Sequence, residues 1–225
     1  MDFTDAGVKR RASSRRRALA TASLASAAGF IVVSVAVTRR LTRKLDRRAR
    51  RAIHPRRRRK VTQVARLATN LGAPNVHPFL ALALAAVATR LRGQIAYRVP
   101  LASLAATVAD KSLRVVIHQR RPPLSGPHHG LDQFAFPSGH TCAITAIAVA
   151  FVAETWPALS DTQRKALASA GAAASMGVAW TRLYLDEHWI DDIVGGWLAG
   201  IAIGSGVGAL GDWSPRSAST SSVWK

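Results

Sequence analysis

The chain has 225 residues, enough for one domain with a substantial core, and a formal net charge of +20. That charge is lopsided: residues 1–60 hold 19 of the 32 lysines and arginines against three acids, whereas residues 61–225 hold 13 against nine. The lone Cys142 excludes an intrachain disulfide framework, and a basic stretch poor in aromatics with no nucleic-acid motif argues against specific nucleic-acid recognition.

Residues 1–17 read as a basic tail with six Lys or Arg. The next 21 residues, "ALATASLASAAGFIVVSVAVT" (18–38), carry no charge and make roughly 32 Å of helix, about one hydrocarbon core. "RRLTRK" follows where a cleavable signal would show small residues, so this is expected to be a retained span. Residues 39–60 hold 13 Lys or Arg and one Asp. Leu41, Leu45, Ala49 and Ala52 or Ile53 recur at helical spacing, which allows an amphipathic helix in the head-group layer binding anionic lipids. A solvated arm is the equal alternative.

Five further helical spans are expected at 74–90, 99–118, 139–156, 166–183 and 189–210, the second of the six opening after the breakers Gly72, Pro74 and Pro78. Together with 18–38 they predict an all-α, six-span transmembrane bundle with a basic N-terminal arm. Its core is 61–212, and a Ser-rich tail, 213–225, is expected to be disordered. Gly196, Gly200, Gly204 and Gly208 recur at i+4, so one face of the last helix can be approached closely. Trp156, Trp189 and Trp213 stand at span ends, where an interfacial belt places them.

Three polar clusters fall at ends of spans. In "DKSLRVVIHQRRP" (110–122), Arg114 and Arg121 are seven apart, within roughly 20° of one helical face, and Asp110 is placed to pair with Arg114. Standing alone, these would read as snorkelling cations. In "PSGH" (137–140), Gly139 lets an oxyanion approach the free N–H groups of a helix start, Ser138 adds a hydroxyl, and His140 stands in the first turn. Chance would give this tetrapeptide in about one chain in a thousand of this length. In "TRLYLDEHWIDD" (181–192), His188 and Asp192 are at i, i+4, so the carboxylate can fix the imidazole tautomer and leave the other nitrogen nucleophilic. Arg182 offers a bidentate fork for phosphate. If the spans alternate up and down, all three clusters share one membrane face.

Taken together these motifs resemble the type-2 phosphatidic acid phosphatase and vanadium haloperoxidase superfamily, whose signature is K-x6-RP, PSGH and SR-x5-H-x3-D. The matching residues are "RVVIHQRRP" (114–122), "PSGH" (137–140) and "TRLYLDEHWIDD" (181–192), within a resemblance spanning about 60–210. Arg114 stands where the family has Lys, and Thr181 where it has Ser. The resemblance implies a metal-independent lipid or polyprenyl phosphatase, requiring no cofactor, in which His188 attacks phosphorus and Asp192 orients it. His140 would protonate the leaving oxygen, while Arg114, Arg121, Arg182, Ser138 and the Gly139 N–H hold the phosphate. His118, His128 and His129 lack Cys partners and lie by a Pro/Gly loop, so metal ligation is not expected.

Two rivals remain at this point. A vanadate-dependent haloperoxidase would fill the same cradle, but the uncharged spans disfavour it. A non-enzymatic membrane protein with a lipid- or nucleic-acid-binding arm would leave the three clusters idle. The Ala- and Arg-rich composition points to a bacterial cell membrane. The family pattern puts the site outside the cytoplasm, although the 13 positives of 39–60 on the active face oppose this under the positive-inside rule.

Overall fold

A computed structural model describes residues 3–53, 58–123 and 128–210; the expected disordered tail lies outside the described residues. Eight α-helices run through them in the order α1 (Phe3–Thr38), α2 (Arg43–Ile53), α3 (Arg59–Thr69), α4 (His77–Arg92), α5 (Arg98–Val116), α6 (Gly139–Thr155), α7 (Asp161–Tyr184) and α8 (Ile190–Gly208). Among the described residues the only β pairing is an isolated bridge between Arg120 and Phe134.

The helix α1 passes unbroken from the basic stretch into the apolar one, because arginine and alanine are both strong helix formers. Residues 43–53 fold as the short helix α2, which buries Asp46 and packs on α8. Helix α3 had no counterpart in the expected spans; its Val61, Val64, Ala65 and Ala68 sit at helical spacing, and it packs on α7. Asn70–Gly72 extend α3 by a short 3-10 turn, after which the chain bends by 63° into α4. Helix α4 ends on Gly93, whose φ of 66° closes the last turn. Helix α7 opens with a reciprocal cap between Ser160 and Gln163.

Among the described residues three helices are long and apolar enough to cross a membrane, Arg10–Thr38, Gly139–Ala158 and Ile190–Gly208, and the bent α3–α4 pair makes a fourth if it counts as one span. Helices α5 and α7 are 19 and 24 residues long but more polar.

Helix α6 is the centre of the bundle, with α4, α5, α7 and α8 packed around it and α1 laid along α8. Its core is built from alanines, including Ala102, Ala106, Ala143, Ala146 and Ala150, so the helices stand close. The glycine stripe of α8 faces α6 along its length. A Cβ at Gly196 would lie 2.8 Å from the Ser138 carbonyl oxygen, at Gly200 2.6 Å from that of Cys142, and at Gly204 2.7 Å from that of Ala146. The end of the bundle away from the polar clusters is tied by Glu154, fully buried and paired with Arg92 and Arg98, while Arg98 also donates to the Leu210 carbonyl at 2.6 Å.

Because backbone is what meets the added methyl, Gly200→Ala is expected to lower stability by about 1–3 kcal/mol, as overpacking does. Gly177→Ala, where nothing lies within 4 Å, is expected to leave the thermal midpoint in detergent unchanged or slightly higher.

Candidate active site

The close approach of α8 to α6 places two helix N-termini side by side. The Ser138 N–H donates to the Asp192 carbonyl at 3.0 Å, so the first turn of α6 is stitched to the first turn of α8. Ser138 is fully buried, and its hydroxyl pairs with that of Thr141 at 3.1 Å rather than capping its own helix.

On α8, His188 and Asp192 meet as their i, i+4 spacing predicts, Nδ1 to Oδ2 at 3.2 Å, with both side chains almost wholly buried. The same Oδ2 accepts from the Trp189 N–H at 2.8 Å, which holds the carboxylate in place. With Nδ1 committed to Asp192, Nε2 is left facing the guanidinium of Arg121, 3.3 Å from Nη1. Burial holds the His188 imidazole well below its usual range, and the charges of Arg121, Arg182, Arg114 and His140 add to this. A neutral ring is the form with a lone pair to offer.

The three arginines arrive from different elements. Arg121, in the chain after α5, is fixed by donating to the carbonyls of Asp132 at 2.6 Å and Glu187 at 2.8 Å. Arg114, in the last turn of α5, donates to Asp110 at 3.0 Å and to the Phe134 carbonyl at 2.8 Å. Arg182, in the last turn of α7, donates to the Thr69 hydroxyl at 3.1 Å, while its buried Nε has no hydrogen-bond partner. His140 packs against the bend: a Cβ at Gly72 would fall 2.8 Å from its carbonyl oxygen. At Gly139 a Cβ would fall 2.7 Å from the Asp110 carboxylate. All eight residues singled out in the sequence thus lie at one end of the bundle.

Several contributors lack a sequence signal. Thr69 and Gly72 reach the site only through the α3–α4 bend. Glu187 stands where two guanidiniums and an imidazole converge: its Oε2 is 3.4 Å from Arg121, 3.6 Å from Arg182 and 3.2 Å from His128. Its place beside His188 was the one available hint. Burial, then Arg121, lowers the His128 imidazole, and Glu187 opposes both. Thr181 keeps its hydroxyl within α7, donating to Val178 at 2.6 Å. Among the described residues, no group of three His, Cys, Asp or Glu is arranged to hold a metal ion.

Asp46 and Asp191 form a second acidic group beside Asp192. Asp46 of α2 accepts from the Asp191 N–H at 3.3 Å, and Asp191 itself accepts from Thr42 at 2.6 Å and Gln119 at 2.8 Å. Burial, followed by the neighbouring Asp191 charge, pushes the Asp46 carboxyl up to about 7. Nearby, Arg50 grips Asp186 through two bonds of 2.8 and 3.0 Å, tying α2 to the turn that carries His188. Asp186 takes up a left-handed φ of 63° in that turn.

The profile of the PAP2 superfamily matches residues 21–213. The chain belongs to that superfamily. A crystal structure described as the first transmembrane PAP2-type phosphatidylglycerolphosphate phosphatase, from Bacillus subtilis, superposes with a TM-score of 0.73 at 20% identity, covering 81% of this chain and 92% of that one. No curated relative matches at a significant level. The family match and the apolar helices together make this a membrane protein of the PAP2 type.

Two outcomes follow from the geometry. Removing the Glu187 charge removes an anion that competes for Arg121 and Arg182, so Glu187→Gln is expected to tighten binding of inorganic phosphate several-fold, read as its inhibition constant. The raised Asp46 carboxyl means that the native state holds a proton the unfolded state has lost between about pH 4 and 7, so its contribution to stability falls as pH rises through that window. Asp46→Asn is therefore expected to gain stability relative to the parent from pH 5 to pH 8, measured as the difference in thermal midpoint between the two proteins.

Proposed function

We propose that this PAP2 protein is a metal-independent integral-membrane phosphatase that removes phosphate from a lipid or polyprenyl phosphate through a phosphohistidine on His188. The observation that supports this most is the buried His188, with Nδ1 on Asp192 and Nε2 turned toward Arg121 amid three arginines. A phosphoryl group drawn in by those guanidiniums would meet the imidazole lone pair directly.

In the first step Nε2 attacks phosphorus, the new P–N bond forms as the P–O bond to the leaving group breaks, and His140 gives its proton to the departing oxygen. Asp192 stabilises the imidazolium through Nδ1. In the second step His140 takes a proton from water, the resulting hydroxide attacks phosphorus, and the P–N bond breaks to release phosphate. Arg114, Arg121, Arg182, Ser138 and the Gly139 N–H hold the non-bridging oxygens as charge redistributes. Arginine in place of the family lysine at 114 keeps that charge while spending two of its donors on Asp110 and Phe134.

A lipid or isoprenoid phosphate suits a site at the ends of membrane helices, and phosphatidic acid, phosphatidylglycerol phosphate and polyprenyl phosphates or diphosphates are the substrates to try. In this reading six crossings are made by α1, the bent α3–α4 pair, α5, α6, α7 and α8, in a bacterial cell membrane, with the site on the extracytoplasmic side.

Detergent-purified protein is expected to release phosphate from at least one of these lipids with EDTA present. His188→Ala, folded as judged by its thermal midpoint, should release it at least about a thousandfold more slowly, as loss of a nucleophile does. Activity that vanishes with EDTA and returns with a divalent ion, or survives in His188→Ala, would refute the scheme.

A further inference from the structure

A cavity of about 620 Å³ is lined by the 116–121 segment and by the corner joining α1 to α2. Of its lining residues the mechanism above uses only Arg121. Arg40, Arg43 and Arg47 line it from the α1–α2 side, and Arg120 and Arg121 line it from the other. Arg40, Arg43, Arg47 and Arg120 make no side-chain hydrogen bond or ion pair among the described residues, unlike Arg50 nearby, which is bound to Asp186. Arg40 in addition holds a φ of 61°, a conformation unfavourable for a residue with a side chain, at the corner that turns α2 back over the cavity.

The five arginines that line this hollow repel one another and outnumber its two acids, Asp46 and Asp191. Asp191 accepts from Thr42 and Gln119, and Asp46 accepts from the Asp191 N–H. The depth of the cavity speaks to what relieves the repulsion. Thr38, the last residue of α1, and Trp189, the residue before α8, both line it, so it sits where the spans leave the hydrocarbon. Its wall includes Val116, 73% exposed, and Leu41 and Leu45 stand exposed on the same corner. Positive charge over exposed aliphatic surface at a helix end is what a phospholipid head group and the start of its chains require.

We infer that this cavity is a second anion site, which takes the phosphodiester head group of a non-substrate anionic membrane lipid through Arg40, Arg43, Arg47 and Arg120. The inference rests on the membrane reading but not on the phosphohistidine mechanism. The site has a route to the catalytic centre: Gln119 bonds to Asp191, the Arg120 carbonyl accepts from the Trp189 indole at 2.8 Å, and Arg121 reaches His188. A bound head group steadies the segment that positions Arg121.

Phosphatidylglycerol is the probe, because its phosphodiester is not a substrate for a monoesterase. The full chain, in nanodiscs of phosphatidylcholine with or without phosphatidylglycerol, is compared with the double variant Arg43→Gln/Arg47→Gln and with Arg10→Gln/Arg11→Gln at the far end of α1. Phosphatidylglycerol is expected to raise the thermal midpoint of the parent and the far-end control by about 4 °C or more, and that of the cavity variant by less than half as much. Arg120→Gln, on the opposite wall, is expected to lose protection likewise, which covers the case in which the double variant does not fold. Equal protection of parent and cavity variants would overturn the inference. So would protection by millimolar inorganic phosphate in pure phosphatidylcholine that equals that of phosphatidylglycerol in the parent and is lost in the cavity variant, which would mark a general small-anion site in the cavity. Phosphate release measured in pure phosphatidylcholine separates this outcome from failure of the phosphatase reading.

Discussion

The structure depends on the contact between α6 and α8. Glycines at 196, 200 and 204 let the two backbones meet at distances no side chain would allow, and the Ser138 N–H to Asp192 carbonyl bond locks their register. The consequence is electrostatic. Two helix N-termini, each with free N–H groups and the positive end of a macrodipole, are held side by side at one end of a bundle. Neither helix alone would need a partner; together they create a positive focus. The residues in the first turn of each helix, His140 and Asp192, and just before it, Ser138 and His188, inherit that environment.

Around this focus the protein adds further positive charge. Arg114, Arg121 and Arg182 come from α5, the segment after it, and α7. Each is restrained by carbonyls or carboxylates rather than left in solvent. Fixed donors of this kind need little reorganisation when charge develops on a bound phosphoryl group, which is where such sites gain most of their rate. Glu187 balances part of the charge. A moderate carboxylate counterweight of this sort reconciles a buried arginine cluster with a stable fold.

Much of this was legible in the sequence, and the reason is local. The His188–Asp192 pairing follows from i, i+4 spacing, the glycine stripe from a four-residue repeat, and the helix start at 139 from Pro-Ser-Gly. Such features need only one helix to be realised, so periodicity reveals them. What was not legible depends on chain reversal. Helix α3 and the bend that brings Thr69 and Gly72 to the site are set by packing on α7 and α6, and the folding of residues 43–53 over the α7–α8 turn depends on Arg50 finding Asp186. A stretch so rich in arginine gives no sign from composition alone that one of its acids, Asp46, is buried. The count of spans was likewise obscured, since α5 and α7 carry polar faces that the bundle partly covers.

The most direct measurement is to stop the protein in alkali during turnover of a lipid phosphate and examine the peptide that carries His188 by mass spectrometry. A phosphohistidine mechanism predicts an alkali-stable, acid-labile phosphoryl group on His188, formed and lost at rates that match turnover. Turnover with no phosphoryl group on the protein, together with inversion of configuration at a chiral phosphorus, would mean that water attacks directly and that His188 is not the nucleophile.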